Sequence, residues 1–260
     1  MKFFMEGILV DNHENRLLIF VHILKTGGTT LEKILQGQYN NIFLTNRTGK
    51  MYTQESIKQL FSENMKKNLN CVSGHFPFGI HQLFPRPFTY MTILREPIDR
   101  VISLYFFILN NPRHSMHRII KNMSFKDFIF NNRYKHLYVN HQTFWVSGGK
   151  EPDLSKAKEN LEQYFSIVGI TELFNESIFI MKETLGWSNL VVDYKRYNVN
   201  NNRPSKKQIP KELIEKLVSD NRLDLELYDY AKKLLQKKIE NLEPHQKKEL
   251  QVFKTKNGNV

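Results

Sequence analysis

One stretch near the amino terminus limits the folds open to this chain more than any other feature. Residues 16–24 read RLLIFVHIL, a continuous apolar run typical of a strand that is buried on both faces of a sheet. The string KTGGTT follows at once, and Leu31, Ile34 and Leu35 then recur at helical spacing. The segment therefore predicts a buried strand, a glycine turn and a helix in direct succession.

Further apolar runs predict more strands, at 70–72, 88–95, 165–170 and 191–199. Helical patterns separate and follow them, at 54–61, 98–109, 172–187, 209–220 and 223–242. Strands that alternate with helices at this spacing indicate βαβ units. We expect an α/β fold, with one domain over residues 1–245, a mainly parallel central sheet flanked by helices, and a frayed tail at 246–260.

Composition excludes several classes of protein and leaves binding of anions open. The chain has 38 Lys and Arg against 26 Asp and Glu, a net charge of +12, which favours phosphorylated cofactors, acidic polysaccharide, nucleic acid or an anionic membrane surface as ligands. Cys71 is the only cysteine, so the chain can form no internal disulfide and no zinc site of several cysteines. No apolar run reaches about 18 residues, and we expect a cytoplasmic protein without a membrane span.

The KTGGTT turn has the composition of an anion-binding loop. Where a parallel strand leads into a helix, backbone N–H groups and the positive helix end face outward together. Gly27 and Gly28 would let the backbone approach a phosphate closely, and Thr29 and Thr30 offer hydroxyl donors. Lys25 supplies a mobile charge, but it precedes the glycines, so the string does not match the P-loop of phosphotransferases.

A second candidate anion site follows the strand at 88–95. Arg95 ends that strand, and Ser103 lies eight residues further on, about two turns into the next helix. An arginine fork can bind a phosphate through two hydrogen bonds, and the serine can add a third donor. The structural alternative pairs Arg95 with Glu96 or Asp99.

These two motifs carry a family resemblance. VHILKTGGTTL resembles the 5′-phosphosulfate-binding loop of sulfotransferases that use 3′-phosphoadenosine-5′-phosphosulfate (PAPS), above all the carbohydrate branch that includes heparan sulfate 2-O-sulfotransferase. The Arg-x7-Ser spacing resembles the 3′-phosphate motif of the same enzymes. The resemblance implies a P-loop-like nucleotide-binding fold, in which Arg95 and Ser103 hold the 3′-phosphate. It assigns the 5′-phosphosulfate to six residues: Lys25, Thr26, Gly27, Gly28, Thr29 and Thr30.

Transfer of a sulfuryl group to an alcohol needs a base, because a neutral hydroxyl is a poor nucleophile. His75 follows a strand end between the two motifs, where similar enzymes place a catalytic histidine. His81 is a second candidate, for contact with the acceptor. Lys25 would stabilise the charge that develops on the leaving 5′-phosphate oxygen, with PAP as the product. We expect no metal requirement, since cationic side chains can supply the charge.

Two further segments extend the resemblance. NHQTFWVSGG resembles a family segment near the acceptor, which implies acceptor contacts for Asn140, Gln142 and Thr143, although Phe144 stands where arginine is usual. Helix capping is the alternative role for Asn140 and Thr143. The loop at 198–208 matches the place where family members close over the nucleotide, and we assign three of its residues to the cofactor: Arg203, Ser205 and Lys206.

The sequence thus predicts a PAPS-dependent sulfotransferase that acts on a hydroxyl of a saccharide. A phosphotransferase remains an alternative, but it should place a magnesium-binding carboxylate at a strand end, and none stands out. A nucleic-acid-binding protein is the other, and the sequence lacks the basic residues interleaved with exposed aromatics that such a protein needs. The acceptor and the oligomeric state stay open.

Overall fold

Five parallel strands form the central sheet of the part of the chain that the structure describes, in the order β2-β3-β1-β4-β5. The computed structural model describes residues 16–45, 52–148, 151–187 and 203–258. Neighbouring strands are all parallel, which confirms the predicted α/β class. The strands are β1 (Leu17–Val21), β2 (Ile42–Leu44), β3 (Cys71–Gly74), β4 (Phe88–Leu94) and β5 (Phe165–Ile170).

Strand β1 lies at the centre of the sheet because all of its side chains are apolar. None of the five is more than 2% exposed, as expected for a parallel strand with helices on both faces. Val21, the last residue of β1, pairs with Gly74 of β3 and with Thr92 of β4. The carboxyl ends of three strands therefore meet at one edge of the sheet, and the loops that follow them open side by side.

Helices connect and cover the strands. Helix α4 begins with Pro97 at its first position, as the sequence predicts. No helix of the described residues is both long enough and apolar enough to cross a bilayer. The helices are α1 (Gly28–Gln38), α2 (Gln54–Lys58), α3 (Glu63–Asn68), α4 (Pro97–Leu109), α5 (His117–Ile120), α6 (Phe125–Phe130), α7 (His141–Ser147), α8 (Leu154–Gln163), α9 (Phe174–Leu185), α10 (Lys211–Asp220), α11 (Arg222–Glu240) and α12 (Pro244–Asn257).

The segment between α1 and β3 holds more structure than its polar, Asn-rich sequence indicates. Helix α2 lies within the helix predicted at 54–61, but β2 and α3 are absent from the prediction. Strand β2 has only three residues, all half-buried at the edge of the sheet, and so short a run shows no clear two-residue period. The strand predicted at 191–199 lies outside the described residues.

The carboxyl-terminal segment is a helix, which corrects the prediction of a frayed tail from residue 246. Helix α12 starts with Pro244, at a position where proline is favoured because no N–H is needed. Leu250 and Phe253 are 3% and 6% exposed, and the Phe253 ring lies 5.9 Å from the ring of Phe179 in α9. These contacts join α12 to the core of the sheet domain.

Replacing Phe253 with alanine tests that packing. We expect Phe253→Ala to lower the free energy of unfolding by about 3 kcal/mol, because it removes a buried ring and leaves a cavity. The neighbouring Val252 is 55% exposed, so Val252→Ala should stay within about 0.5 kcal/mol of the parent. Urea unfolding followed by circular dichroism measures both. Equal effects of the two substitutions would contradict the packing of α12.

Candidate functional site

Residues 25–30 lead from β1 into the first turn of α1 and are called the phosphate loop after their predicted ligand. This loop adopts left-handed backbone conformations at two positions. Lys25 has φ +68° and Gly27 has φ +89°, so the chain turns sharply before the helix begins at Gly28. A non-glycine residue is uncommon in this region, which marks Lys25 as held there by its surroundings. A Cβ atom on Gly28 would lie only 2.1 Å from the His22 ring. Gly28 therefore lets α1 begin in close contact with the His22 ring.

Hydrogen bonds from Thr26 and Thr171 fix the shape of this loop. The Thr26 hydroxyl donates to the Ile23 carbonyl at 2.9 Å, and the Thr26 side chain is fully buried. The Thr171 hydroxyl lies 2.7 Å from the Thr26 carbonyl and 3.0 Å from that of Leu94, at the end of β4. Of the six predicted loop residues, Thr26 can thus offer a ligand its backbone amide but not its hydroxyl.

The side chain of Lys25 extends along α4. Its ammonium group lies 3.8 Å from the centre of the Phe107 ring, a cation–π contact. Burial, and after it the charges of Arg95 and Arg203, lower the pKa of Lys25 to about 8. An anion bound beside Lys25 would restore the charged form, because opposite charges favour it.

The two arginines converge on one carboxylate. Arg203 donates from Nη1 and Nη2 to the two oxygens of Asp99, at 2.6 and 2.9 Å. Arg95 donates to Asp99 through Nε at 2.9 Å and through Nη2, while its Nη1 donates to the Lys25 carbonyl at 3.0 Å and to the Ser103 hydroxyl at 3.2 Å. The structure thus brings Arg95, Ser103, Arg203 and the phosphate loop together, with Asp99 as the shared acceptor of the two arginines.

Asp99 stays ionised in this cluster. Burial alone would raise the pKa of its carboxyl group, but hydrogen bonds from Arg203 and the charge of Arg95 outweigh burial and hold the pKa below its ordinary value. The alternative interpretation of the sequence, an Arg95–Asp99 pair, is therefore present in the same cluster as the Arg95–Ser103 contact. We call this cluster of Arg95, Asp99, Ser103 and Arg203 the arginine cradle.

The remaining residues predicted from the 198–208 loop lie at the rim of the cradle. Lys206 forms an ion pair with Glu96 at 2.8 Å. The Ser205 hydroxyl and backbone N–H both donate to Gln208 Oε1, at 3.0 and 2.8 Å, which starts a short 3₁₀ turn. Arg203 therefore enters the cradle, whereas Ser205 and Lys206 hold its loop against the start of α4.

The rings of His22 and His75 contact each other next to the phosphate loop, with centres 4.4 Å apart and planes tilted by 46°. His75 Nδ1 lies 2.7 Å from the His22 carbonyl; since a carbonyl only accepts, Nδ1 donates and Nε2 keeps its lone pair. Glu32 lies 3.0 Å from His22 Nδ1 and also accepts from Ser73 at 2.8 Å. Burial, followed by the charge of His22, lowers the pKa of His75 to about 4, so its ring is neutral near pH 7.

A family described as galactose-3-O-sulfotransferase matches residues 8–258. The chain belongs to the galactose-3-O-sulfotransferase family. Family membership confirms the resemblance to carbohydrate sulfotransferases. Within that group, the matching family is the galactose 3-O-sulfotransferases.

Individual relatives are distant members of the galactose-3-O-sulfotransferase family. Galactose-3-O-sulfotransferase 3 from Bos taurus is 25% identical over 235 residues, which cover 81% of this chain and 55% of the relative. The Homo sapiens protein of the same name is also 25% identical, over 81% of this chain and 54% of its own length. The chain thus spans about half the length of the curated relatives it matches. A crystal structure of mouse sulfotransferase SULT7A1 complexed with PAP aligns at TM-score 0.41 and 12% identity, over 94% of this chain and 84% of that one.

Two residues of the family segment NHQTF make hydrogen bonds within the fold. The predicted acceptor contact stays a prediction for the half-buried Asn140, whereas the Thr143 side chain is fully buried. Asn140 Oδ1 accepts from the backbone N–H groups of Leu223 and Asp224, at 3.0 and 3.3 Å, and so caps the start of α11. Thr143 donates to Asp224 Oδ1 through its backbone N–H at 2.7 Å and through its hydroxyl at 2.8 Å. Capping, the alternative role, describes Asn140. Thr143 instead donates to Asp224, whose carboxylate caps the start of α7.

Gln142, the third member of that segment, grips the backbone of Arg95. Its Oε1 accepts from the Arg95 N–H at 2.9 Å, and its Nε2 donates to the Arg95 carbonyl at 2.9 Å. Gln142 is fully buried, so it cannot touch an acceptor. Its amide group pairs with the N–H and the carbonyl of Arg95, as the backbone of a neighbouring strand would, so it positions Arg95.

His81 lies at the wrong end of the sheet for the predicted acceptor contact. Its ring stacks on Phe88 with centres 4.3 Å apart, and its Nδ1 lies 3.0 Å from the Tyr90 hydroxyl. Phe88 pairs with Leu17 at the start of the strands, whereas the phosphate loop follows their carboxyl ends. Aromatic packing accounts for His81, and its predicted role is corrected.

Asp99 and Thr171 are site residues that the sequence analysis does not assign to the site. Asp99 stands four residues after Arg95, the spacing at which oppositely charged side chains meet on a helix. Thr171 comes directly after β5, so its place at the carboxyl edge of the sheet follows once the strand is known. The sequence contains the spacing from Arg95 to Asp99 and the position of Thr171, but both point to the site only when the ends of β4 and β5 are known.

Alanine at position 28 tests the contact between the phosphate loop and His22. We expect Gly28→Ala to destabilise the protein by about 1–3 kcal/mol, because the new Cβ would overlap a ring that Glu32 holds in place. Gly37 lies in the same helix with no atom near its would-be Cβ, so Gly37→Ala should instead stabilise by about 0.5–1 kcal/mol. Urea unfolding measures both, and a Gly28→Ala variant as stable as Gly37→Ala would refute the close contact.

Proposed function

We propose that this chain transfers a sulfuryl group from PAPS to a hydroxyl of a saccharide acceptor. Family membership supports sulfuryl rather than phosphoryl transfer, and the matched relatives carry galactose 3-O-sulfation in their names. Galactose is therefore the acceptor sugar that we test first.

One observation carries the proposal: a single guanidinium group joins two anion sites. Arg95 Nη1 contacts the Lys25 carbonyl of the phosphate loop and the Ser103 hydroxyl of α4. A nucleotide with phosphates at its 3′ and 5′ positions needs two such sites at neighbouring strand ends. The cradle keeps a net positive charge that favours an anion, since two guanidinium groups face a single carboxylate there.

The residues around the two sites suit sulfuryl transfer. When bound, PAPS would supply the sulfuryl group, and its 5′-phosphate would be the leaving group, released as part of PAP. Lys25 belongs to the loop itself, and its ammonium group would stabilise the oxygen on which charge develops. His75 is neutral, and its Nε2 can accept the proton of an acceptor hydroxyl while Nδ1 stays bonded to His22.

Discrimination between PAP and 5′-AMP tests the arginine cradle. We expect wild type to bind PAP more tightly than 5′-AMP, and Arg95→Ala to abolish most of that preference, a loss of about 10²-fold, because charged hydrogen bonds to the 3′-phosphate disappear. Titration calorimetry with both nucleotides measures the ratio. Affinity for 5′-AMP should stay within threefold, which also shows that the variant is folded.

Gln142→Met provides a graded comparison for the same measurement. It keeps the Arg95 guanidinium but removes both hydrogen bonds to the Arg95 backbone, so we expect a smaller loss of the PAP preference. If neither variant changes the ratio of PAP to 5′-AMP affinity, the cradle does not bind the 3′-phosphate. Failure of wild type to bind PAP would sink the proposed function as a whole.

Replacing His75 tests the base. His75→Asn keeps a donor for the His22 carbonyl but removes the basic nitrogen, and we expect kcat to fall by about 10²–10⁴-fold with PAP affinity unchanged. Because the pKa of His75 is depressed to about 4, the neutral ring persists as pH falls through 6, and wild-type activity should decline only nearer pH 4–5. Turnover with radiolabelled PAPS across pH measures both effects. A variant with near wild-type kcat would remove His75 from the reaction.

A further inference from the structure

The segment that follows α4 is basic and free of acidic residues. Residues 101–126 contain no Asp or Glu, although 26 acidic residues occur in the chain. Residues 111–121, here called the basic arm, carry Arg113, Arg118 and Lys121 together with two histidines. The lysines of α11 and α12 lie in helices that also contain acidic residues, four in α11 and Glu249 in α12.

The basic arm lies next to the phosphate loop. The His114 ring meets the Phe107 ring edge-on, with centres 5.8 Å apart, and the Lys25 ammonium lies over that same Phe107 ring. One aromatic ring thus separates the arm from the loop lysine. The charge of Lys25, acting after burial, also lowers the pKa of His114, as this proximity requires.

Backbone and side-chain hydrogen bonds fix the arm against the end of α4. His117 Nδ1 donates to the Ile108 carbonyl at 3.0 Å, and the Met116 N–H donates to His114 Nδ1 at 3.2 Å. The Arg113 N–H donates to Asn111 Oδ1 at 3.2 Å. The cations of the arm therefore project from an ordered support.

The cations of the arm are exposed and uncompensated. Arg113, Arg118 and Lys121 are exposed, and none lies within ion-pair distance of an acidic group among the residues that the structure describes. Lys126, just beyond the arm, does pair with Glu212 at 3.6 Å. Three exposed cations, on a segment that contacts the same ring as Lys25, give this side of the described structure a positive potential.

We propose that the basic arm binds a carboxylate or sulfate group on the acceptor, so that the acceptor is an anionic saccharide. This inference rests on the proposed function. An anionic acceptor must approach an anionic donor, and cations on the acceptor side offset that repulsion. The nucleotide phosphates have their own cations in Lys25, Arg95 and Arg203, which leaves the arm for the acceptor.

Two acceptors that differ only in charge test the proposal. Lactobionate and lactitol share a terminal β-galactose and an open-chain second unit, but lactobionate carries a carboxylate. We expect wild type to favour lactobionate in kcat/KM, and to lose that preference as salt rises from 0.05 to about 0.5 M, because salt screens exposed charges. A variant with Arg113→Gln, Arg118→Gln and Lys121→Gln should lose about tenfold in kcat/KM for lactobionate and less than twofold for lactitol.

A charge-matched control separates the arm from the net charge of the protein. Lys233→Gln, Lys237→Gln and Lys247→Gln remove three exposed lysines from α11 and α12, and should leave the lactobionate preference unchanged. Equal losses in both triple variants, or no preference in wild type, would overturn the proposal. So would a loss of PAP affinity in the arm variant, measured by calorimetry, since the arm would then serve the nucleotide. Lack of PAP binding by wild type would instead refute the proposed function on which this inference rests.

Discussion

The hydrogen bonds of Arg95 are the interaction on which the candidate site depends. Its backbone pairs with Gln142 of α7, and its guanidinium reaches the Lys25 carbonyl, Asp99 and Ser103. A strand end, a loop and two helices thus meet at one residue. The spacing between the two candidate anion sites is therefore set by the reach of a single side chain, and movement of one of these elements would displace the others.

A buried polar network around Asp224 holds Gln142, which in turn bonds to the backbone of Arg95. Asp224 accepts from the backbone of Gln142 at 3.0 Å and from Thr143 at 2.7 Å, and the fully buried Arg100 lies near enough for its charge to favour the carboxylate. Burial raises the pKa of Asp224 and lowers that of Arg100 to about 10. Such groups add little net stability, because desolvation opposes their attraction, but they favour one arrangement of α4, α7 and α11.

The sequence predicts the parts of the site that are local and misses the parts that depend on distant contacts. The phosphate loop follows from one strand and one glycine turn. Arg95 and Ser103 meet because the long Arg95 side chain reaches from the end of β4 to α4. Asn140 and Thr143 bond to residues more than 80 positions away, so no local pattern reveals their structural role. His81 resembles any other histidine until the folded chain places it among aromatic rings at the far end of β4.

The contact between Gly28 and His22 also couples two positions in evolution. A side chain at position 28 has room only if the imidazole at position 22 is first replaced by something smaller. That replacement would leave Glu32 without its histidine partner in the interior, so three positions would have to change together. Substitution of Gly28 one position at a time would therefore pass through less stable proteins.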